Sequence, residues 1–192
     1  IIQAYLPGDY GADALVDLIF GAVNFSGRLP YTYPKYDGVI EFYDHPYSVD
    51  RAKSGNFEAY SPEWDFGYGL SYSKISYGDI NMDKSTMNQN ESISLSIKIK
   101  NESNIAVKEV VQLYLTDLYA SMVPTGKSLK KFQKVTIPAN GEMLLNFSLT
   151  VDDLKFVNVN GDFVAEEGDF KISVKQVTLF PIIPSVTWNF EF

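Results

Sequence analysis

Residues 93 to 100 read Ile-Ser-Leu-Ser-Ile-Lys-Ile-Lys. Ile93, Leu95, Ile97 and Ile99 alternate with Ser94, Ser96, Lys98 and Lys100. Successive side chains of a strand point to opposite faces, so this period of two predicts a strand with one buried and one wetted face. The signature repeats downstream. Asn101 to Asn104 supplies a turn, and Val111, Leu113 and Leu115 predict the next strand. Phe132, Val135 and Ile137 predict another, with a slip in the alternation that fits a bulge. Asn140-Gly141 is a strong turn signal. Met143, Leu145, Phe147 and Leu149 then face inward, with Asn146 and Ser148 outward. Asn160-Gly161 marks a hairpin closed by Phe163, Gly168 precedes a strand through Phe170, Ile172 and Val174, and Trp188, Phe190 and Phe192 predict a last one.

About seven short strands at this spacing, beginning near residue 73, predict a mainly β fold: an antiparallel β-sandwich of immunoglobulin-like or fibronectin type III architecture. The segment before it differs. Ile1 to Leu6 predicts a strand, Pro7-Gly8 a turn, and residues 9 to 20 a helix with Asp9 as its N-cap. Ala12, Leu15, Val16, Ile19 and Phe20 recur on one helical face, and Gly21 is placed to end the helix in the left-handed conformation. This strand–helix unit reads as the last piece of an α/β layer. Residues 24 to 70 are loop-rich, with Pro30, Pro34, Pro46 and Pro62 and many tyrosines. A loop of that length is expected to wrap a surface or a domain junction.

The 192 residues are 45% hydrophobic, enough to build a core. A net charge of −8 argues against a nucleic-acid or anionic-membrane partner, because no basic patch is present to neutralise phosphate. No apolar run reaches the length needed to cross a bilayer as a helix. The absence of cysteine excludes disulfides, thiol catalysis and cysteine-ligated metals. His45 is the only histidine, so no zinc site and no cofactor is expected. The opening IIQAYLPG has neither Met nor the layout of a signal peptide, and is expected to belong to a longer protein.

Two stretches carry more than structural information: Gly21 to Tyr33, GAVNFSGRLPYTY, and Phe66 to Tyr72, FGYGLSY. Together with Pro7, Gly8 and Gly11, with Val110 to Leu115 (VVQLYL) and with Asp153 to Phe170, they resemble the C-terminal part of the family-three glycoside hydrolases. The resemblance implies that residues 1–72 end an α/β sandwich domain and that residues 73–192 form a fibronectin type III-like domain. It implies a parent enzyme that removes terminal non-reducing β-D-glucosyl residues with retention, with β-xylosidase or exo-glucanase activity as the close alternative. Retention needs two carboxylates about 5 Å apart. In the family both precede the segment that this chain resembles, so no catalytic residue is assigned and the role expected here is structural. The implied partners are the upstream domains and, through them, a β-glucoside or oligosaccharide. Phe25 stands where the family usually has Pro, and the stretch between Tyr43 and Phe66 departs from the Gly-Tyr-Arg-Tyr-Tyr segment of many relatives. A freestanding carbohydrate-binding or adhesive sandwich is the alternative reading.

Candidate sites are few. Asn24, Asn90, Asn101 and Asn146 each begin an N-glycosylation tripeptide, with Asn90 and Asn101 expected in turns and Asn146 on a wetted strand face. With the family, they point to a secreted or lysosomal glycoprotein. Tyr43, Tyr47, Phe57, Tyr60 and Trp64 cluster in the long loop, as packing between the two domains or as a sugar-stacking rim. Asp13 and Asp17 read as a solvated helix face, and Asp152-Asp153 and Glu166 to Asp169 as strand-end turns rather than a calcium loop.

Overall fold

A computed structural model describes residues 1–40, 42–45, 62–175 and 185–190. The chain begins with helix α1 (Gly11–Ile19), followed by strands β1 (Ile75–Met82), β2 (Thr86–Met87), β3 (Ser92–Asn101), β4 (Val107–Asp117), β5 (Ser128–Ile137) and β6 (Glu142–Thr150). A single-turn helix α2 (Val151–Leu154), the short pair β7 (Phe156–Val157) and β8 (Phe163–Val164), and strands β9 (Gly168–Lys175) and β10 (Ser185–Phe190) complete it.

The strands form two main sheets. One has the order β1-β3-β6, the other β2-β10-β9-β4-β5. Pairing is antiparallel except between β10 and β2. The two inner faces meet in one core. Ile93, Leu95, Ile97 and Ile99 of β3 and Leu145, Phe147 and Leu149 of β6 join a single buried cluster with Val111, Leu113 and Leu115 of β4 and Phe170, Ile172 and Val174 of β9. These are the positions the alternation marks. Each fully buried aliphatic or aromatic side chain is worth about 1.5–3 kcal/mol, so this cluster dominates the sandwich's stability.

Several expectations are corrected. Asn101 is not in a turn: it is the last residue of β3 and is fully buried. Its Nδ2 donates to the carbonyls of Ile105 (2.7 Å) and Pro138 (2.9 Å), and its Oδ1 accepts from Ser103 N (3.0 Å). Asn140-Gly141 does form a turn, but it carries the chain from one sheet to the other instead of closing a hairpin. Phe132 faces outward and is 66% exposed. The register shift against β4 falls between Leu113 and Tyr114, which pair with Lys131 and Leu129, so the extra residue is Lys130, ahead of Phe132. The hairpin at Asn160-Gly161 is present, closed by Phe156–Val164 and Val157–Phe163 pairing. Trp188 and Phe190 lie on β10, paired with Phe170 and Gly168, while Phe192 lies outside the described residues.

Upstream, Ile1 to Leu6 is not a strand. A strand needs a neighbour to take its backbone hydrogen bonds, and this segment pairs with none among the described residues. Asp9 is not the N-cap of α1; Tyr10 occupies that place with no side-chain cap, and Gly11 N donates to Gly8 O instead (3.1 Å). Gly21 ends the helix with φ 77°, the left-handed conformation expected of it. Asp152 and Asp153 fall on α2, where Asp153 accepts from Thr150 N (2.9 Å) in a capping box.

Candidate functional site

The most elaborately built polar site is the seam where the long loop meets the sandwich. Residues 29–33 and 63–68 are tied as an antiparallel ribbon: Leu29 N donates to Tyr68 O (2.8 Å), Gly67 N to Leu29 O (2.7 Å) and Tyr33 N to Trp64 O (2.8 Å). Rings reinforce it. Tyr33 and Trp64 lie 4.9 Å apart and Tyr43 stacks on Phe66 at 4.3 Å. One end is latched by Asn24. Its Nδ2 donates to Ser71 Oγ (2.9 Å) and Ser73 Oγ (3.0 Å), and its Oδ1 accepts from Tyr72 N (3.0 Å). Tyr72 OH then donates to Leu18 O of α1 at 2.9 Å, joining helix, loop and the approach to β1.

At the centre, Arg28 enters the end of the sandwich. Its Nη2 meets Glu109 Oε2 at 2.8 Å, and both side chains are almost wholly buried. Tyr77 OH of β1 donates to Glu109 Oε1 at 3.3 Å, so the carboxylate is held from both sheets and from the loop. Burial pushes the Glu109 carboxyl above the usual glutamate range, opposed by Arg28 and Tyr77. The Arg28 stem needs a gap to enter. At Gly69 a Cβ would stand 2.7 Å from Gly27 O and 3.0 Å from Arg28 Cδ, so a larger residue would displace both. Gly67 has φ 78°, and a Cβ there would meet Gln112 Oε1 of β4 at 2.6 Å.

This geometry can hold two layers in fixed orientation. Among the described residues, the side-chain partners of Glu109 are Arg28 and Tyr77, and no second carboxylate stands with them for glycosidic chemistry. The other acids for which contacts are seen bind cations or turn backbone: Glu91 with Lys84, Asp153 with Lys131, Glu166 with Ser121 N. No group of metal-ligating side chains occurs among the described residues. His45 lies beside Phe42 O (3.1 Å), and its own carbonyl accepts from Gly126 N (2.8 Å).

Of the loop aromatics, Tyr43 and Trp64 are partly buried in the ring contacts above, while Tyr47, Phe57 and Tyr60 lie outside the described residues. Of the glycosylation tripeptides, the structure places Asn90 in an exposed turn and Asn146 on the exposed face of β6, Asn24 in the latch and Asn101 in the core. Sequence reasoning missed Glu109, Tyr77, Gln112 and Ser73. One signal was available: Glu109 is in phase with Val111, Leu113 and Leu115, and a carboxylate on the inward phase of a strand requires a buried partner.

A fibronectin type III-like sandwich joined through a buried ion pair to a helix-and-loop segment is the class of architecture seen here, and both of its parts match known domains. Residues 1–72 match the glycosyl hydrolase family 3 C-terminal domain, and residues 109–177 match the fibronectin type III-like domain. The chain is 36% identical over 186 residues to thermostable beta-glucosidase B of Acetivibrio thermocellus, covering 91% of this chain and 25% of that protein. It is 33% identical over 174 residues to a putative beta-xylosidase of Formosa agariphila, covering 91% and 23%. The crystal structure of a beta-glucosidase from Listeria innocua in complex with glucose superposes with TM-score 0.88 at 30% identity, covering 98% of this chain and 27% of that one. The chain thus spans about a quarter of the length of the curated relatives it matches. It belongs to the family-three glycoside hydrolases, of which it carries the C-terminal part.

Proposed function

We propose that this chain is the C-terminal segment of a β-glucosidase, an enzyme that removes terminal non-reducing β-D-glucosyl residues with retention, and that its own role is structural. In this reading residues 1–72 complete an α/β domain and residues 73–192 buttress it from one side. The catalytic carboxylates and most sugar contacts belong to preceding domains. The observation that carries the reading is the two-sided character of the first segment. One side is locked to the sandwich through Arg28 and Glu109. The other presents Leu6, Tyr10, Val16, Ile19 and Phe20 to solvent, with Phe20 83% exposed. An apolar face of this kind is not stable in water and marks an interface. A freestanding adhesive module has no use for it.

β-Xylosidase is the second reading, favoured by the putative beta-xylosidase among the relatives. Relatives named for the periplasm and the lysosome support routing out of the cytosol. Tyr43 and Trp64 act in packing, and any sugar-rim role falls to aromatic side chains elsewhere in the long loop.

The test is hydrolysis of chromogenic β-glucoside and β-xyloside by the 192-residue chain, beside the same chain within its longer natural protein. Activity in the longer protein alone is expected, with the glucoside preferred. Turnover by the isolated chain would sink the structural role and turn attention to acids between Asp37 and Asp65.

A further inference from the structure

We propose that Asn146 and Asn90 carry N-linked glycans while Asn24 and Asn101 do not, which makes the outer face of the β1-β3-β6 sheet the solvent side of the assembled enzyme. The inference rests on the proposed route through the secretory pathway, and goes beyond it by choosing among sites that are equivalent in sequence.

The modification joins the anomeric carbon of a polyprenyl-diphosphate-linked oligosaccharide to Asn Nδ2. A C–N bond forms, the C–O bond to diphosphate breaks, the lipid diphosphate leaves, and one amide proton is lost. The product is a bulky group rooted on Nδ2, so it is compatible with the fold only where Nδ2 faces water. Asn101 fails that condition, because its Nδ2 is enclosed by the carbonyls of Ile105, Ile137 and Pro138. Asn24 fails it too, because both Nδ2 hydrogens are spent on Ser71 and Ser73.

Asn146 meets it. It lies opposite Ser96 on β3, and the neighbouring pairs on the same face are Ser148 with Ser94 and Thr150 with Ser92. All but the half-buried Ser96 are exposed. The Ser and Thr side chains are short and polar; on the other side Leu144 stands opposite Lys98, and Gln133 Nε2 of β5 donates to the backbone O of Asn146 (2.7 Å), which leaves the Asn146 side chain itself exposed. The opposite sheet differs: the outer face of its strand β4 is covered by the chain itself, with Gly67 packed on Gln112 and Thr116 Oγ1 donating to Gly126 O at 2.7 Å, although Phe132 of β5 stays exposed. Asn90 sits in an exposed turn beside Asn88 N, which donates to Glu91 Oε2.

The experiment expresses the longer natural protein behind a cleavable secretion signal in a glycosylating eukaryotic host. The secreted, folded fraction is digested with peptide-N-glycosidase in heavy-oxygen water, and each Asn-to-Asp conversion is mapped. Conversion at Asn90 and Asn146, with Asn24 and Asn101 unconverted, is the expected result. An unconverted Asn146, or conversion at Asn24 or Asn101, overturns the proposal. Ser148→Ala should abolish the Asn146 glycan and leave the melting temperature of the deglycosylated protein unchanged; a retained glycan or a fall in that temperature overturns the placement. β-Glucoside hydrolysis by the same sample tests the enzymatic reading separately, and the compartment in the source organism tests the routing separately, since the host supplies both signal and transferase.

Discussion

Glu109 shows what a buried ion pair does and does not contribute. Desolvation costs Glu109 more than Arg28 and Tyr77 return, because its carboxyl is held above the usual range even 2.8 Å from a guanidinium. A carboxyl with a folded pKa above its unfolded one binds its proton more tightly in the folded state. Its contribution is therefore fully present below the unfolded glutamate pKa and is lost as pH rises through the folded one. Glu109→Gln keeps an acceptor for Arg28 and removes the titration. It also leaves the permanently charged Arg28 guanidinium buried without a counter-charge, so chemical denaturation should find it about 3–5 kcal/mol below the parent at neutral pH, with a flatter pH profile between the ordinary glutamate range and neutrality. Arg28→Met is expected to cost less, about 1–3 kcal/mol, because the Glu109 carboxyl, already pushed up by burial, can take a proton whereas a guanidinium cannot lose one. Equal losses in the two variants would refute this account. Asn101→Ala should also be costly, about 1–3 kcal/mol by the same measurement, since it leaves the carbonyls of Ile105 in the β3–β4 connection and of Pro138 in the β5–β6 crossover without this donor.

At the scale of elements, the strands were legible and their connections were not. The alternation through Ile93 to Ile99 and through Met143 to Leu149 defines inward faces because the period of a strand is fixed by its geometry. Which sheet a strand joins depends on partners far away in the chain, so Asn140-Gly141 reads as a turn without revealing that β5 and β6 belong to different sheets. The predicted strand at Ile1 to Leu6 failed for the same reason, since strand structure is a property of a pair. At the site, Asn24, Arg28, Ser71 and Tyr72 lay within motifs visible in the sequence. Their roles did not, because the groups they hold, Ser73, Tyr77 and Glu109, carry no motif. The short stretch 67–69 shows how tightly the seam constrains its backbone. Gly67→Ala combines a left-handed φ with a clash at Gln112 Oε1, and is expected to cost about 1–3 kcal/mol in the melting of the whole chain. A loss below a few tenths would mean that Gln112 swings aside and that the loop adapts to the sheet.

The whole molecule is asymmetric in a way that assigns its surroundings. One flank is the hydroxyl-lined face of the three-stranded sheet, which water and sugar tolerate. Elsewhere, on or beside α1, Tyr10, Val16, Ile19 and Phe20 are exposed and lie outside the buried core cluster. If the rest of an α/β domain covers that face, each of these side chains gains about 1.5–3 kcal/mol on burial in the longer protein and gains nothing in the isolated chain. The double substitution Val16→Glu, Phe20→Ser separates the two situations. In the isolated chain it should reduce self-association in sedimentation velocity and leave the sandwich's melting temperature unchanged, because both side chains are exposed and neither belongs to the buried core cluster. In the longer protein the same pair should lower the melting temperature by several degrees and reduce β-glucoside turnover, because the α/β domain loses the face on which α1 packs. A longer protein that tolerates both changes at full stability would show that α1 stays exposed there too, and that the surface serves contact between copies or with another protein instead.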